Sequence, residues 1–395
     1  MVKGFYIWPM PVYFDHNATT RPSFRVLQAV SSAMAADFGN PSSQHWAGQD
    51  AKRVMDKARS QVASLLGARV DEIVFTSGAT ESNNMVIRGV VAQSLQQGRA
   101  LRELHIVTSA IEHKSVLSPL ADLESQGLQV TYVPAGWDGR VNARQVEASL
   151  EPNTVLVSVM LANNDTGVIQ PVDEIVRFAH ARGVLVHCDA VQAVGKIPVA
   201  VKELGVDFLS LSAHKFYGPK GVGGCFVRNG KQLPSLLLGG KQELSMRAGT
   251  ENVPGIAGLG EACAEAQTNL AHYAVHCGTL RDRLQAGILR VVPDARIYGE
   301  LAARAANTLN VGLPGVDGMS LMLNLDLEGF AISVGSACGA GDHEPSHVLR
   351  GMGCTDLEAL STVRFSLGLQ NTEAEVDACV EALARLVPRL RRVHG

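Results

Sequence analysis

Short apolar runs alternate with amphipathic stretches over the first two thirds of the chain. Residues 12–14, 72–75, 104–108, 155–160, 184–187 and 207–211 each read as a short, buried strand. Helical periodicity falls between them. Residues 51–66 put Val54, Met55, Ala58, Val62 and Leu65 on one face, with Gly67 as the stop. Residues 85–91 and 173–182 also read as helical, the latter stopped by Gly183. Buried strands alternating with helices predict an α/β fold, with a mainly parallel sheet of the seven-stranded type covered by helices on both faces.

The texture changes after about residue 260. An Ala-rich helical stretch runs over 255–291. Residues 307–311 and 330–334 then alternate like strands of an antiparallel sheet. A last helix opens at Thr372 with Glu375 as its capping box, and Val376, Cys379, Val380, Leu383 and Leu386 form its apolar face. This predicts a large domain over 21–260 and a smaller α+β domain over 261–395. Residues 1–20 would form an N-terminal segment packed on the small domain.

The patterning places polar clusters just past the strand ends, where open α/β sheets bind ligands. The clusters are Thr76–Thr80, His113, Asn164, Asp189 with Gln192, and Ser212–Lys215. Each has a plainer reading alone. Lys215 reads as a surface lysine, Asp189 as a helix cap, His113 as a polar helix start and Asn164 as a turn residue. Their shared placement at one sheet edge favours a common site.

The chemistry of that set suits pyridoxal phosphate. A lysine after a buried strand is desolvated, which favours the neutral amine that forms a Schiff base with an aldehyde. Lys215 fills that role. Asp189 would face the protonated ring nitrogen, Gln192 the ring hydroxyl, and His113 a ring face. Residues Ser77, Gly78, Ala79 and Thr80, with Ser212 and His214, would cup the phosphate at a helix start. No P-loop spacing occurs there.

Two features lie in the second domain. Cys338 sits in Val334-Gly335-Ser336-Ala337-Cys338-Gly339-Ala340-Gly341, where small neighbours leave a thiol exposed as a nucleophile or as a plain surface cysteine. Arg364 stands in an apolar strand, and a buried arginine wants a carboxylate, which a substrate can supply.

Composition excludes other classes. The formal net charge of −3 gives no footprint for nucleic acid or a membrane surface. The seven cysteines are odd in number and lack C-x-x-C spacing, which argues against a disulfide framework and against a zinc site. A reducing, cytoplasmic compartment follows. The apolar stretch 4–11 carries two prolines and reads neither as a signal peptide nor as a membrane span.

With these residues assembled, nearly the whole chain from Val12 resembles the cysteine desulfurases of the NifS/IscS type, class V aminotransferases of the fold-type I pyridoxal phosphate architecture. The motifs carrying the resemblance include Asp15-His16-Asn17-Ala18-Thr19-Thr20, Glu112-His113-Lys114, His187-Cys188-Asp189-Ala190-Val191-Gln192, Ser212-Ala213-His214-Lys215, Arg247-Ala248-Gly249-Thr250, Gly335-Ser336-Ala337-Cys338 and Val363-Arg364-Phe365-Ser366. The resemblance implies that Lys215 anchors the cofactor and shuttles a proton, that Asp189 partners the pyridinium, and that His113 stacks on the ring. It implies that Ala79, Thr80, Ser212 and His214 bind the phosphate and that Gln192 contacts the ring oxygen. Thr250 would reach the phosphate of a neighbouring subunit, implying a homodimer. Asn164 and Arg364, with Asn17 nearby, would hold the carboxylate of L-cysteine. Cys338 would take the substrate sulfur as a persulfide, for a sulfur-acceptor protein such as an iron–sulfur scaffold or sulfur carrier. Residues 238–244 depart from the family's His- and Gly-rich run, and the chain stops at Gly395 without the longer tail of housekeeping members. A selenocysteine lyase and a non-catalytic, partner-binding paralogue share this framework and stay open at this point.

Overall fold

The computed structural model describes residues 11–335 and 344–394. The apolar N-terminal stretch up to Met10 and the cysteine-loop residues 336–343, Cys338 among them, lie outside the described residues.

The chain enters through β1 (Val12–Tyr13). Seven strands then form the main sheet. They are β2 (Ile73–Thr76), β3 (His105–Ser109), β4 (Gln129–Val133), β5 (Thr154–Ser158), β6 (Leu185–Asp189), β7 (Phe208–Ser212) and β8 (Gly223–Val227). Their order is β2-β8-β7-β6-β5-β3-β4. Neighbours from β7 through β4 pair in parallel. β8 runs antiparallel to both β7 and β2. Neither β4 nor β8 is among the strand runs expected from the sequence, and β8 opens on Gly223 and Gly224. The glycine at 223 is required by packing: a Cβ there would lie 2.5 Å from the Leu211 carbonyl oxygen and 2.7 Å from the Gly78 Cα.

Consecutive strand residues feed opposite faces of the large-sheet core. Val107, Val157 and Leu209 belong to one buried cluster, and Ile106, Leu156 and Phe208 to the other. Helices Trp46–Leu66 and Val172–His180 contribute to the first cluster, and helices Ala79–Gln96 and Lys114–Ser125 to the second. The sheet is therefore covered on both faces, and its strands read as continuous apolar runs for that reason. Gly67 ends the first of these helices in the left-handed conformation (φ 64°), as a glycine C-cap does.

A second core forms around β9 (Arg296–Tyr298), β10 (Thr308–Gly312), β11 (Phe330–Ala331) and β12 (Thr362–Ser366). β12, β10 and β9 make an antiparallel sheet. The expectation that 330–334 joins an antiparallel sheet is corrected. β11 pairs in parallel with β1, and only an isolated bridge at Ser333 meets Arg364 in antiparallel sense. The alternation over 330–334 reports burial of Phe330, Ile332 and Val334 in this core, not the direction of a partner strand. The final helix, Glu373–His394, carries the predicted box: Thr372 N–H donates to Glu375 Oε2 (2.9 Å) and Glu375 N–H to Thr372 Oγ1 (3.3 Å).

One helix joins the two cores. Val253–Val291 gives Val253, Ile256 and Leu259 to the large-sheet core and Leu280, Leu284 and Ile288 to the second. Residues 12–20 bridge them too. Phe14 is buried in the second core, while Thr20 N–H donates to the His214 carbonyl (2.8 Å) in the first.

Candidate active site

The carboxyl ends of β2, β3, β5, β6 and β7 open onto one cleft of about 860 Å³, a size suited to a cofactor with a small substrate. Asn17, Ala79, Thr80, His113, Asn164, Asp189, Gln192, Ser212, His214, Lys215 and Arg364 all line it. Thr250 is exposed and does not line it. The chain on either side of the Cys338 segment, at Gly335 and His347, borders the same cleft.

Lys215 follows β7 in a single 3-10 turn, Ala213–Lys215. Its Nζ donates to the carbonyls of Asn17 (2.7 Å) and Ala18 (2.8 Å). Burial, and then the nearby Arg364 guanidinium, pull its pKa down to about 8, against the opposing pull of Asp15 and Asp189. The amine expected from the strand-end position is therefore available near neutral pH.

Asp189 ends β6 and is aimed by two donors. Asn83 Nδ2 reaches Oδ2 (2.8 Å), and the Val191 N–H reaches Oδ1 (3.0 Å). Asn83 also donates to Ser115 Oγ (2.8 Å), which lies 2.8 Å from His113 Nδ1. That nitrogen also accepts the Ser115 backbone N–H (3.1 Å), so the proton of the neutral ring sits on Nε2. His113 is exposed within the cleft, and the protein around it lowers its pKa by desolvation.

The helix Ala79–Gln96 starts at Gly78, which has no capping side chain, so its first N–H groups face the cleft unshielded. It begins six residues earlier than the apolar pattern suggests. Ser82 and Asn83 read as turn residues, but they are buried and bonded, to Thr76 Oγ1 (2.9 Å) and to Asp189. Across from this helix start stand Ser212 and His214, whose pKa burial pushes down to about 4, leaving a neutral imidazole. Glu81 holds the turn by accepting the Ser77 N–H (2.8 Å) and pairing with Arg247 (3.0 Å), three residues before Thr250.

Arg364, on β12, is buried and already faces two carboxylates of the protein, Asp15 (2.7 Å) and Asp165 (3.4 Å). Its Nε has no partner among the described residues, and neither has the buried Asn164 Oδ1. Asp165 also accepts from Ser346 Oγ (2.7 Å). Sequence reading missed these partners and missed two further buried groups. Glu112 is fully enclosed, with its pKa raised by burial to about 8, and its Oε1 accepts from Ser109 Oγ (2.5 Å) and the Met160 N–H (3.0 Å). Lys196 is 2% exposed, a burial that a lysine seldom reaches unless its amine is bonded. No local signal marks it.

The donor set fits pyridoxal phosphate. An uncapped helix start with Ser212 and Thr80 suits a dianion, a depressed lysine suits an aldehyde, and a fixed carboxylate suits a protonated ring nitrogen.

Comparison with known proteins agrees with this arrangement. The aminotransferase class-V family profile matches residues 12–379. A cysteine desulfurase of Trichormus azollae is 43% identical over 383 residues, covering 96% of this chain and 94% of that protein. A cysteine desulfurase of Cereibacter sphaeroides is 45% identical over 382 residues, with 96% of each covered. Among solved structures, a NifS-like protein superposes with a TM-score of 0.89 at 40% identity, covering 96% of this chain and all (100%) of that one. DndA from Streptomyces lividans superposes at 0.75 with 38% identity, over 89% of this chain and 98% of that one. The chain belongs to the aminotransferase class-V family, among its NifS/IscS-type members.

Proposed function

We propose that this protein is a pyridoxal phosphate-dependent cysteine desulfurase, converting L-cysteine to L-alanine while Cys338 takes the sulfur as a persulfide. The observation that carries the reading is the convergence of Lys215, Asp189, His113, the uncapped helix start and Arg364 on one cleft. Gly335 and His347 border that cleft from either side of the Cys338 segment.

Lys215 would hold the cofactor, with Asp189 and Gln192 on its ring, His113 against a ring face, and Ala79, Thr80, Ser212 and His214 at its phosphate. When bound, the cofactor supplies an electron sink for the substrate Cα. Lys215, with its depressed pKa, carries protons to and from that carbon. Arg364 and Asn164 orient the substrate carboxylate, which competes with Asp15 and Asp165 for the guanidinium. The Cys338 thiolate attacks the substrate sulfur, the C–S bond breaks, and the carbon keeps the electron pair and gains a proton. The products are alanine and Cys338–S–SH, so atoms and electrons balance without an external oxidant.

Thr250, exposed on the Arg247–Thr250 turn, is suited to reach a second subunit's phosphate, which makes the working unit a homodimer. The persulfide would pass to an acceptor protein of iron–sulfur assembly or of another thiolation route, in the cytoplasm. The described cysteines form no disulfide, and no described helix is long and apolar enough to cross a membrane.

The test is Cys338→Ala with L-cysteine as substrate. The unsubstituted protein is expected to release alanine and to carry sulfur that a reductant strips from Cys338. The variant should keep the cofactor's visible band and lose turnover by orders of magnitude. Turnover of cysteine at the unsubstituted rate overturns the persulfide role. Turnover of selenocysteine alone points to the lyase. A protein that cannot be loaded with the cofactor points to the non-catalytic paralogue.

A further inference from the structure

Lys196 is among the largest fully buried side chains, and no part of the proposed chemistry uses it. Its amine is bonded to two side-chain oxygens: Nζ donates to Gln192 Oε1 (2.5 Å) and to Asn17 Oδ1 (2.8 Å). Burial, then Lys215 and Arg364, drive its pKa well down. A neutral amine has two N–H groups, and the two acceptors use both.

The bonds sort the polarity of two cleft amides. With both N–H groups spent on oxygens, Lys196 holds the Gln192 oxygen towards itself and the NH2 away, the same sense in which the Asn17 carbonyl holds it. One N–H of that NH2 donates to the Asn17 carbonyl (2.9 Å). The other is left for the cleft that Gln192 lines. Asn17 is sorted in the same way. Its Oδ1 also accepts from Asn307 Nδ2 (2.9 Å), and its own Nδ2 therefore donates outward, to Thr308 Oγ1 (2.9 Å) and the Asn164 carbonyl (3.1 Å).

We propose that Lys196 is a positioning residue that fixes the amide orientation of Gln192 and Asn17, so that Gln192 presents an N–H to the cleft. That donor suits an anionic oxygen, such as the ring phenolate of pyridoxal phosphate. An amide turned the other way would present a repelling carbonyl. The inference rests on the cofactor reading above and extends it to a residue outside the cleft wall.

The test is the pH titration of the visible band of the cofactor-loaded protein. Loss of the proton from the Lys215–cofactor linkage leaves more negative charge on the ring oxygen, and a donor to that oxygen favours the deprotonated form. Lys196→Met leaves the Asn17 carbonyl alone to hold the Gln192 amide, loosening its orientation, and is expected to raise the titration midpoint by up to about one pH unit. Gln192→Leu removes the donor and should give a similar rise. The double variant should rise no further, because both changes remove the same hydrogen bond. The other titratable and charged groups of the cleft (Asp15, Glu81, His113, Lys114, Asp165, Asp189, His214, Lys215, Lys220, His347 and Arg364) and those beside Lys196 (His16 and Cys277) stay the same in all three.

A rise in Lys196→Met that adds to that of Gln192→Leu overturns the proposal, since it marks a direct charge effect of the lysine. An unmoved midpoint in folded Lys196→Met overturns it too. If the Met variant does not fold, Lys196→Gln keeps a polar, buried group that can donate or accept, and should give a smaller rise; no rise overturns the proposal. A protein with no visible band overturns the cofactor reading itself, whereas a band with an unmoved midpoint overturns only the role of Lys196.

Discussion

At the scale of residues, the most informative side chain is Lys215. Its position after an apolar strand predicts a desolvated amine, and the structure supplies the agents, burial first and Arg364 second. The folded pKa of about 8 lies below the ordinary 10.5. Between those two values the unfolded chain binds a proton that the folded chain does not. Stability of the cofactor-free protein therefore rises with pH through that window. The same amine must be neutral to capture an aldehyde. The rate at which cofactor-free protein takes up pyridoxal phosphate should climb with pH to a plateau whose midpoint lies near 8. Stopped-flow absorbance measures it, and a midpoint at the value of free lysine contradicts the account. Asp189 was legible for the same reason as Lys215, since both stand where a buried strand runs out. Lys196 was not legible. A lysine in a Gly-Lys-Ile-Pro turn looks solvated, and its burial depends on Asn17, 179 residues away.

At the scale of elements, the segment that departs from the family pattern has an unusual backbone. Glu243, Leu244 and Ser245 all have positive φ, at 41°, 59° and 64°. Such a run costs conformational energy in non-glycine residues and persists only when its surroundings hold it. Arg59 and Glu243 provide that hold. Two guanidinium nitrogens meet the carboxylate at 2.6 and 2.9 Å, and Glu243 Oε2 also accepts the Phe75 N–H (2.7 Å) in β2, two residues before the phosphate-cup turn. The carboxylate is almost wholly buried, so removing it leaves a largely buried guanidinium with no counter-charge and only the Ile73 carbonyl (2.6 Å) as an oxygen partner. Glu243→Ala should lower the unfolding free energy by about 3–5 kcal/mol. Urea titration reads the loss, and a change below about 1 kcal/mol, the level of a surface pair, speaks against a buried anchor. Helix existence was largely legible from periodicity at this scale, while helix starts were not. The helix Ala79–Gln96 opens on polar residues whose partners, Thr76, Ser115 and Asp189, belong to other elements.

At the scale of the whole molecule, Asn17 is where the two cores meet. It bonds Gln192, Lys196 and Lys215 on the large-sheet side and Asn307, Thr308 and Ser366 on the other. Asn17→Ala removes the side-chain half of this set. It should cost about 1–3 kcal/mol, the price of leaving buried polar groups unpaired. It should also weaken cofactor retention, which equilibrium dialysis of the loaded protein reads. Equal retention and equal stability would remove Asn17 from the joint. The pairing of Arg364 with Asp15 belongs to this scale as well, spanning 349 residues of chain.

The sequence alone was enough for whatever depends on local order: the βα alternation, the glycine stop at Gly67, the capping box at Thr372 and the placement of reactive side chains at strand ends. These follow from side-chain periodicity and backbone sterics within a few residues. Tertiary structure alone decided the antiparallel insertion of β8, the parallel pairing of β11 with β1, the carboxylates waiting on Arg364, and the burial of Lys196. Each of these is a choice of partner between distant segments. Hydrogen-bond and charge partners are selected by which surfaces the whole chain brings together, and no local pattern encodes that.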